Sequence, residues 1–189
     1  MKKILYIHGF GSDKNSSTGQ YIKELLKGKY EVLVETWDLT DPRNTSEKIN
    51  KYVADNNISL VIASSLGAFY ALSITDSVAR IVINPCMNPT VELPKITQIS
   101  QAVKDEFDFL KMEQDDYIDW EMRAVTFGVF GNNDELFNYQ ERFKRLYGNM
   151  TVVEGGHKLP HTSLKEGVEE GLEYFAELQE SLRRIDNII

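Results

Sequence analysis

The stretch Val61-Ile62-Ala63-Ser64-Ser65-Leu66-Gly67-Ala68 constrains this chain more than any other. A β-branched apolar run enters it, two serines interrupt the run, and small and apolar residues at helical spacing leave it. The sequence therefore predicts a buried strand that turns at once into a helix. A turn that sharp presses the residues two before and two after its apex together, so both must carry little or no side chain. Around Ser65 those positions are Ala63 and Gly67, which fit; around Ser64 they are Ile62 and Leu66, which are too bulky. The apex is Ser65. The competing reading is an ordinary strand and helix joined by turn serines, and the rest of the chain has to separate the two.

Apolar runs and turn signals place the remaining elements. Lys3 to Ile7 reads as a central strand ending in His8-Gly9-Phe10-Gly11-Ser12. A dinucleotide fingerprint there would need a third glycine where Lys14 stands. His8 reads as a brace for the loop. Ser16 to Lys27 carries Tyr21, Ile22, Leu25 and Leu26 at helical spacing, with Gly28 as the stop. Tyr30 to Thr36 reads as a second buried strand, with Trp37, Asp38 and Pro42 in a loop. Thr45 or Ser46 is expected to cap a helix with Ile49, Tyr52 and Val53 inward. Ser59 to Ser64 is the third strand, and Arg80 to Asn84, closed by Pro85, the fourth. Periodicity fades over 86–122, where Pro89, Pro94 and an acidic, aromatic-dotted tract suggest a small lid. Phe107, Phe109, Leu110, Met112, Tyr117 and Trp120 are its candidate pocket lining, the alternative being that they only pack it down. Ala124 to Phe130 is the fifth strand, followed by a helix with Tyr139, Phe143, Leu146 and Tyr147 on one face. Met150 to Val153 is the sixth. Ser163 and Glu166 form a capping-box pattern opening a last helix with Val168, Leu172, Phe175, Leu178 and Leu182 inward. Strands alternating with helices throughout predict an α/β fold, a six-stranded parallel sheet with right-handed crossovers and helices on both faces.

With 189 residues, 42% of them hydrophobic, the chain can bury one good core, and residues 1–189 read as a single domain. A formal charge of −8 without a lysine or arginine cluster argues against nucleic acid as a partner. The N-terminal apolar run breaks at His8-Gly9, too early for a signal peptide, and no other run could span a bilayer, so no membrane partner is expected. Cys86 is the only cysteine; it excludes an intrachain disulfide and suits a cytoplasmic setting.

A serine that attacks an acyl group needs a base and a group that holds the base. In an open α/β sheet both belong on loops at the carboxyl ends of strands. Asp134 follows the fifth strand and His157 the sixth. His157 sits behind Gly155 and Gly156, which let its loop approach closely, whereas His161 lies beyond Pro160 beside a helix start. Zinc at His157 and His161 is disfavoured by the intervening Pro160 and by the missing glutamate of an HExxH pattern. Asp134 competes with Glu135, Asp116 and Asp119; it is favoured because a strand-end turn holds it, while Glu135 is expected to begin the helix. Cys86 falls at the same edge but reads as a packing residue.

Ala63-Ser64-Ser65-Leu66-Gly67 resembles the G-x-S-x-G nucleophile elbow of α/β-hydrolases with Ala63 in the first glycine's place, and serine, acid, histidine is that superfamily's order. More closely, Leu5-Tyr6-Ile7-His8-Gly9-Phe10, Ser64-Ser65-Leu66-Gly67, Asn84-Pro85, Asp134-Glu135 and Glu154-Gly155-Gly156-His157 together resemble the small YqiA-like esterases over nearly the whole chain. The resemblance implies a minimal α/β-hydrolase with strand order 2-1-3-4-5-6 and a Ser65-Asp134-His157 catalytic triad. It also implies an oxyanion hole from the backbone N–H groups of Phe10 and Leu66. Ala68 replaces a glycine common after the elbow, and 86–122 differs from the family's lid, so substrate is not carried over. The expected activity is a serine esterase: a hydrolase that cleaves small-molecule carboxylic esters, thioesters included, through an acyl-serine, with no cofactor and no metal. The rivals are a catalytically inactive hydrolase-fold binding or regulatory protein, and a serine hydrolase of peptide or lactone bonds.

Overall fold

Alternate residues of the first strand serve opposite sides of one sheet. In β1 (Lys2–Ile7) Leu5 and Ile7 enter one core and Ile4 and Tyr6 the other, and all four are buried. Burial on both faces is why the run reads as continuously apolar. The computed structural model describes residues 1–186. In it β1 pairs with β2 (Tyr30–Val34) and β3 (Ile58–Ser64), and β4 (Ala79–Ile83), β5 (Thr126–Gly131) and β6 (Met150–Val153) follow. All pairs are parallel and the order is β2-β1-β3-β4-β5-β6, the α/β-hydrolase order expected for the family.

The chain reverses its direction of growth across β1, so the loops after β1 and β3 flank a topological switch point, where open α/β sheets form their crevice. Helices α1 (Ser17–Leu25) and α8 (His161–Asp186) cover one face through Ile22, Leu164, Val168 and Phe175. Helices α2 (Pro42–Asn56), α3 (Leu66–Leu72), α5 (Gln101–Asp116) and α7 (Gln140–Leu146) cover the other through Ile49, Phe69, Phe107 and Phe143. No helix among the described residues is long and apolar enough to cross a membrane.

Two helix starts are corrected by local structure. Helix α2 begins a turn earlier than a Thr45 or Ser46 cap implies: Pro42 is its first residue, where a fixed φ and a missing N–H cost nothing. Helix α8 begins at His161, so Ser163 lies buried inside it and caps nothing, and Leu182, expected inward, is exposed. Residues 86–122 fold into a short helix α4 (Pro89–Glu92), a 3₁₀ turn at Leu93–Lys95, the sixteen-residue α5 and the start of α6 (Trp120–Ala124). Helix α5 was obscured in sequence because only Phe107, Leu110 and Gln114 of it are buried, too few to print a periodicity.

One charged side chain is built into the core. Arg80 has no exposed surface; its guanidinium donates to the carbonyls of Ala71, Ile74, Asp76 and Val78 at the end of α3 and the turn that follows. Burial lowers its pKa to about 10, which leaves it charged at neutral pH.

Candidate active site

Ser65 sits at the apex between β3 and α3 with φ 54° and ψ −124°, a conformation that side chains other than glycine rarely adopt. Its backbone is held by neighbours: its N–H donates to the Ile83 carbonyl at 2.9 Å, and its own carbonyl accepts from Cys86 N at 3.0 Å and Ala68 N at 3.1 Å. The small residue at position 67 is needed for a reason the sequence did not show. A Cβ on Gly67 would lie 2.2 Å from the His8 carbonyl oxygen and 2.6 Å from that of Ile7. Gly67 thus lets the end of β1 lie against α3, and Gly9 brings the following loop against Ser65, where an added Cβ would meet the serine Cβ at 3.0 Å. The backbone N–H groups of Phe10 and Leu66 flank this contact, and neither donates a hydrogen bond among the described residues.

His157 reaches Ser65 from the loop after β6. Its Nε2 lies 2.9 Å from Ser65 Oγ, and its Nδ1 lies 3.1 and 3.0 Å from the two carboxylate oxygens of Asp134. The Asp134 side chain is only 4% exposed and that of His157 15%. Burial alone would raise the Asp134 pKa, but hydrogen bonds from His157 and from the N–H groups of Phe137 and Leu136 outweigh it and hold the carboxyl below the ordinary aspartate range. An ionised Asp134 requires the proton on Nδ1, which leaves Nε2 free to accept from the serine hydroxyl.

Three further residues shape this arrangement. Asn84, 1% exposed and at φ 42°, donates through Nδ2 to the carbonyls of Gly156 and His157 and accepts from Gly131 N, tying the loops that carry Asp134 and His157 to the end of β4. Glu135 lies in the loop rather than beginning α7, and its carboxylate accepts from the backbone N–H of His157 at 2.9 Å. Phe137 meets the His157 ring edge to face, with centroids 4.6 Å apart. Asn84-Pro85 and Asp134-Glu135 were visible as motif blocks; nothing in them says which backbone groups they grip. His8 braces its loop as expected: Nε2 accepts from Trp37 N at 3.1 Å, so Nδ1 carries the proton donated to the Gly9 carbonyl.

A cleft of about 240 Å³ opens beside Ser65 and His157, walled by the loop after β1, the start of α1 and Lys158-Leu159. None of the expected lining from 86–122 contributes to it. Phe107 is fully buried against Phe69 and Tyr70, Leu110 and Tyr117 line a separate hollow of about 340 Å³ that contains none of the three converging residues, and Trp120 is 76% exposed. Phe109 and Met112 are exposed as well. Phe107, Phe109, Leu110 and Met112 lie on α5, whose buried edge packs on α2 and, through Phe107 and Gln114, on α3. Cys86 is buried, and that burial pushes its thiol up to about 12. His161 stacks on Tyr21 with ring centroids 4.0 Å apart and takes no part in the cluster.

Solved structures share this architecture at low identity. A Xanthomonas campestris protein of the α/β hydrolase superfamily is 18% identical, with a TM-score of 0.57 over 96% of this chain and 99% of its own. Est1E from Butyrivibrio proteoclasticus is 15% identical, with a TM-score of 0.66 over 91% of this chain and 88% of its own. The esterase domain of a Rhodothermus marinus protein is 14% identical, with a TM-score of 0.65 over 90% and 84%. These likenesses establish the fold. No curated protein matches the sequence. A family model does, over residues 3–170, and the chain therefore belongs to the uncharacterised protein family UPF0227, the YqiA-like group its motif blocks resemble.

Proposed function

We propose that this protein is a serine hydrolase of small carboxylic esters, thioesters included, working through an acyl-Ser65 intermediate. The observation that carries the reading is the unbroken contact from Asp134 through His157 to Ser65, at 3.0 and 2.9 Å, on a serine with strained backbone. In this reading His157 Nε2 takes the Ser65 proton as Oγ bonds to the acyl carbon, and Asp134 stabilises the imidazolium. The N–H groups of Phe10 and Leu66 receive the developing oxyanion, each worth about 3 kcal/mol in comparable enzymes. The leaving alkoxide or thiolate takes the proton from His157. A water then gives its proton to His157 as its oxygen bonds to the acyl carbon; the bond from that carbon to Ser65 Oγ breaks, His157 returns the proton to Oγ, and the acid leaves. The cleft beside Ser65 takes the substrate, and at about 240 Å³ it is smaller than ordinary ligand pockets, which favours short and medium acyl chains.

The test is labelling by a fluorophosphonate together with turnover of a short-chain p-nitrophenyl ester. Wild-type protein should label at one serine and hydrolyse the ester, and Ser65→Ala should lose both. A wild type that stays unlabelled on long incubation belongs to the inactive, ligand-binding class instead.

A further inference from the structure

The cleft beside Ser65 has a composition at odds with the rest of the molecule. The chain carries 29 acidic residues against 21 lysines and arginines, yet no aspartate or glutamate lines this cleft. Its walls are hydroxyl-bearing: Ser12, Ser16, Ser17 and Thr18 on one side, and the Tyr6 hydroxyl bonded to Ser64 Oγ at 2.8 Å beneath. Its one lysine or arginine is Lys158, exposed and next in sequence to His157. Five lysines pair with a carboxylate three or four residues away; Lys158 is one of those that do not, and among these it is the one that lines the cleft beside Ser65. Lys158 has neither an ion-pair nor a hydrogen-bond partner among the described residues.

We propose that this cleft is a subsite for a carboxylate on the substrate, so that the protein acts on short esters which themselves carry an acid group, with Lys158 as its counter-ion. The proposal rests on Ser65 being the nucleophile and names the substrate class. A single cation matches a monoanion better than a phosphate dianion. Serine and threonine hydroxyls can turn their protons toward carboxylate oxygens that the ammonium leaves unpaired. Leu159 and Ile83 cover the short apolar spacer between acid and ester. In an acidic protein that otherwise repels anions, one unpaired lysine at the mouth of the nucleophile's cleft sets local preference more than net charge does.

The test uses full-length Ser65→Ala, which keeps the cleft and cannot turn substrate over, titrated at low salt by NMR with monomethyl succinate and with its neutral counterpart methyl butyrate. Monomethyl succinate should bind about tenfold tighter, and the preference should vanish in Ser65→Ala carrying Lys158→Glu and shrink at 0.5 M salt. Equal affinity for the two esters, or a preference that survives Lys158→Glu, overturns the subsite. Because binding here needs no chemistry, that failure is separate from a failure of wild-type Ser65 to label with fluorophosphonate, which would sink the hydrolase reading instead.

Discussion

Gly67→Ala tests the claim that the elbow and the loop after β1 are one mechanical unit. The new methyl carbon would stand 2.2 Å from the His8 oxygen and 2.6 Å from the Ile7 oxygen, against 3.4 Å for ordinary contact. The shortfall at His8 is about 1.2 Å, and both obstacles are backbone, which cannot rotate away as a side chain could. Either α3 lifts or the end of β1 retreats, and β1 is pinned between two parallel neighbours. Overpacking of this kind costs roughly 1–3 kcal/mol, which for a domain of this size lowers Tm by roughly 2–12 °C. The larger effect should be catalytic. In the proposed mechanism a displacement of about 1 Å would carry the Phe10 N–H away from the oxyanion it is assigned to receive, and misplacement on that scale costs on the order of a hundredfold in kcat. Steady-state kinetics on a short-chain p-nitrophenyl ester, beside calorimetric melting, reads both quantities. The expected result is a drop in kcat with KM changed little, since the oxyanion contact forms in the transition state. A variant with wild-type kcat and Tm would refute the packing argument. One that loses stability while keeping kcat would show that the loop position and the oxyanion donor are not coupled.

Other outcomes follow from the same geometry. Asp134→Asn should lower kcat on the order of 10³- to 10⁴-fold, because an amide cannot hold the imidazole in the tautomer that accepts the serine proton; a loss under tenfold would transfer the role elsewhere. The depressed Asp134 pKa contributes stability that is complete above the unfolded aspartate value of about 3.9 and is lost as pH falls through the lower folded value. Urea midpoints should therefore fall below pH 4 less steeply in Asp134→Asn than in wild type. Asn84→Ala should reduce kcat roughly ten- to a hundredfold without moving KM, since it frees the His157 loop and Gly131 together; an unchanged kcat would make Asn84 a purely structural residue. Arg80→Lys should cost about 3 kcal/mol in chemical denaturation despite keeping the charge, because an ammonium cannot reach four separate carbonyls. Rates over p-nitrophenyl esters of increasing acyl length should fall beyond medium chains, and a steep rise toward long ones would contradict the small cleft.

The apolar patterning of the chain is sufficient for the sheet. Apolar runs alternating with helical segments, the four inner ones almost wholly buried, mark parallel strands covered by helices, and Ser65, Asp134 and His157 each stand in the turn or loop that follows such a run. Those three were legible because strand ends and glycine-rich turns are local features, written in neighbouring residues. Contacts between distant loops are not written that way. The grip of Glu135 on the His157 N–H spans 22 residues, that of Asn84 on the same loop spans 73, and the carbonyls that exclude a side chain at Gly67 come from β1. The candidate lining from 86–122 was misread for the same reason. Phe107, Leu110, Tyr117 and Trp120 have the composition of a pocket lining, but composition carries no direction: docking of α5 on α2 and α3 buries Phe107 and Leu110 away from Ser65, and Tyr117 and Trp120 stand exposed beyond it. The wall that the cleft does have, four hydroxyls and Lys158, joins segments 140 residues apart and exists only once α1 and the β6 loop meet across the end of the sheet.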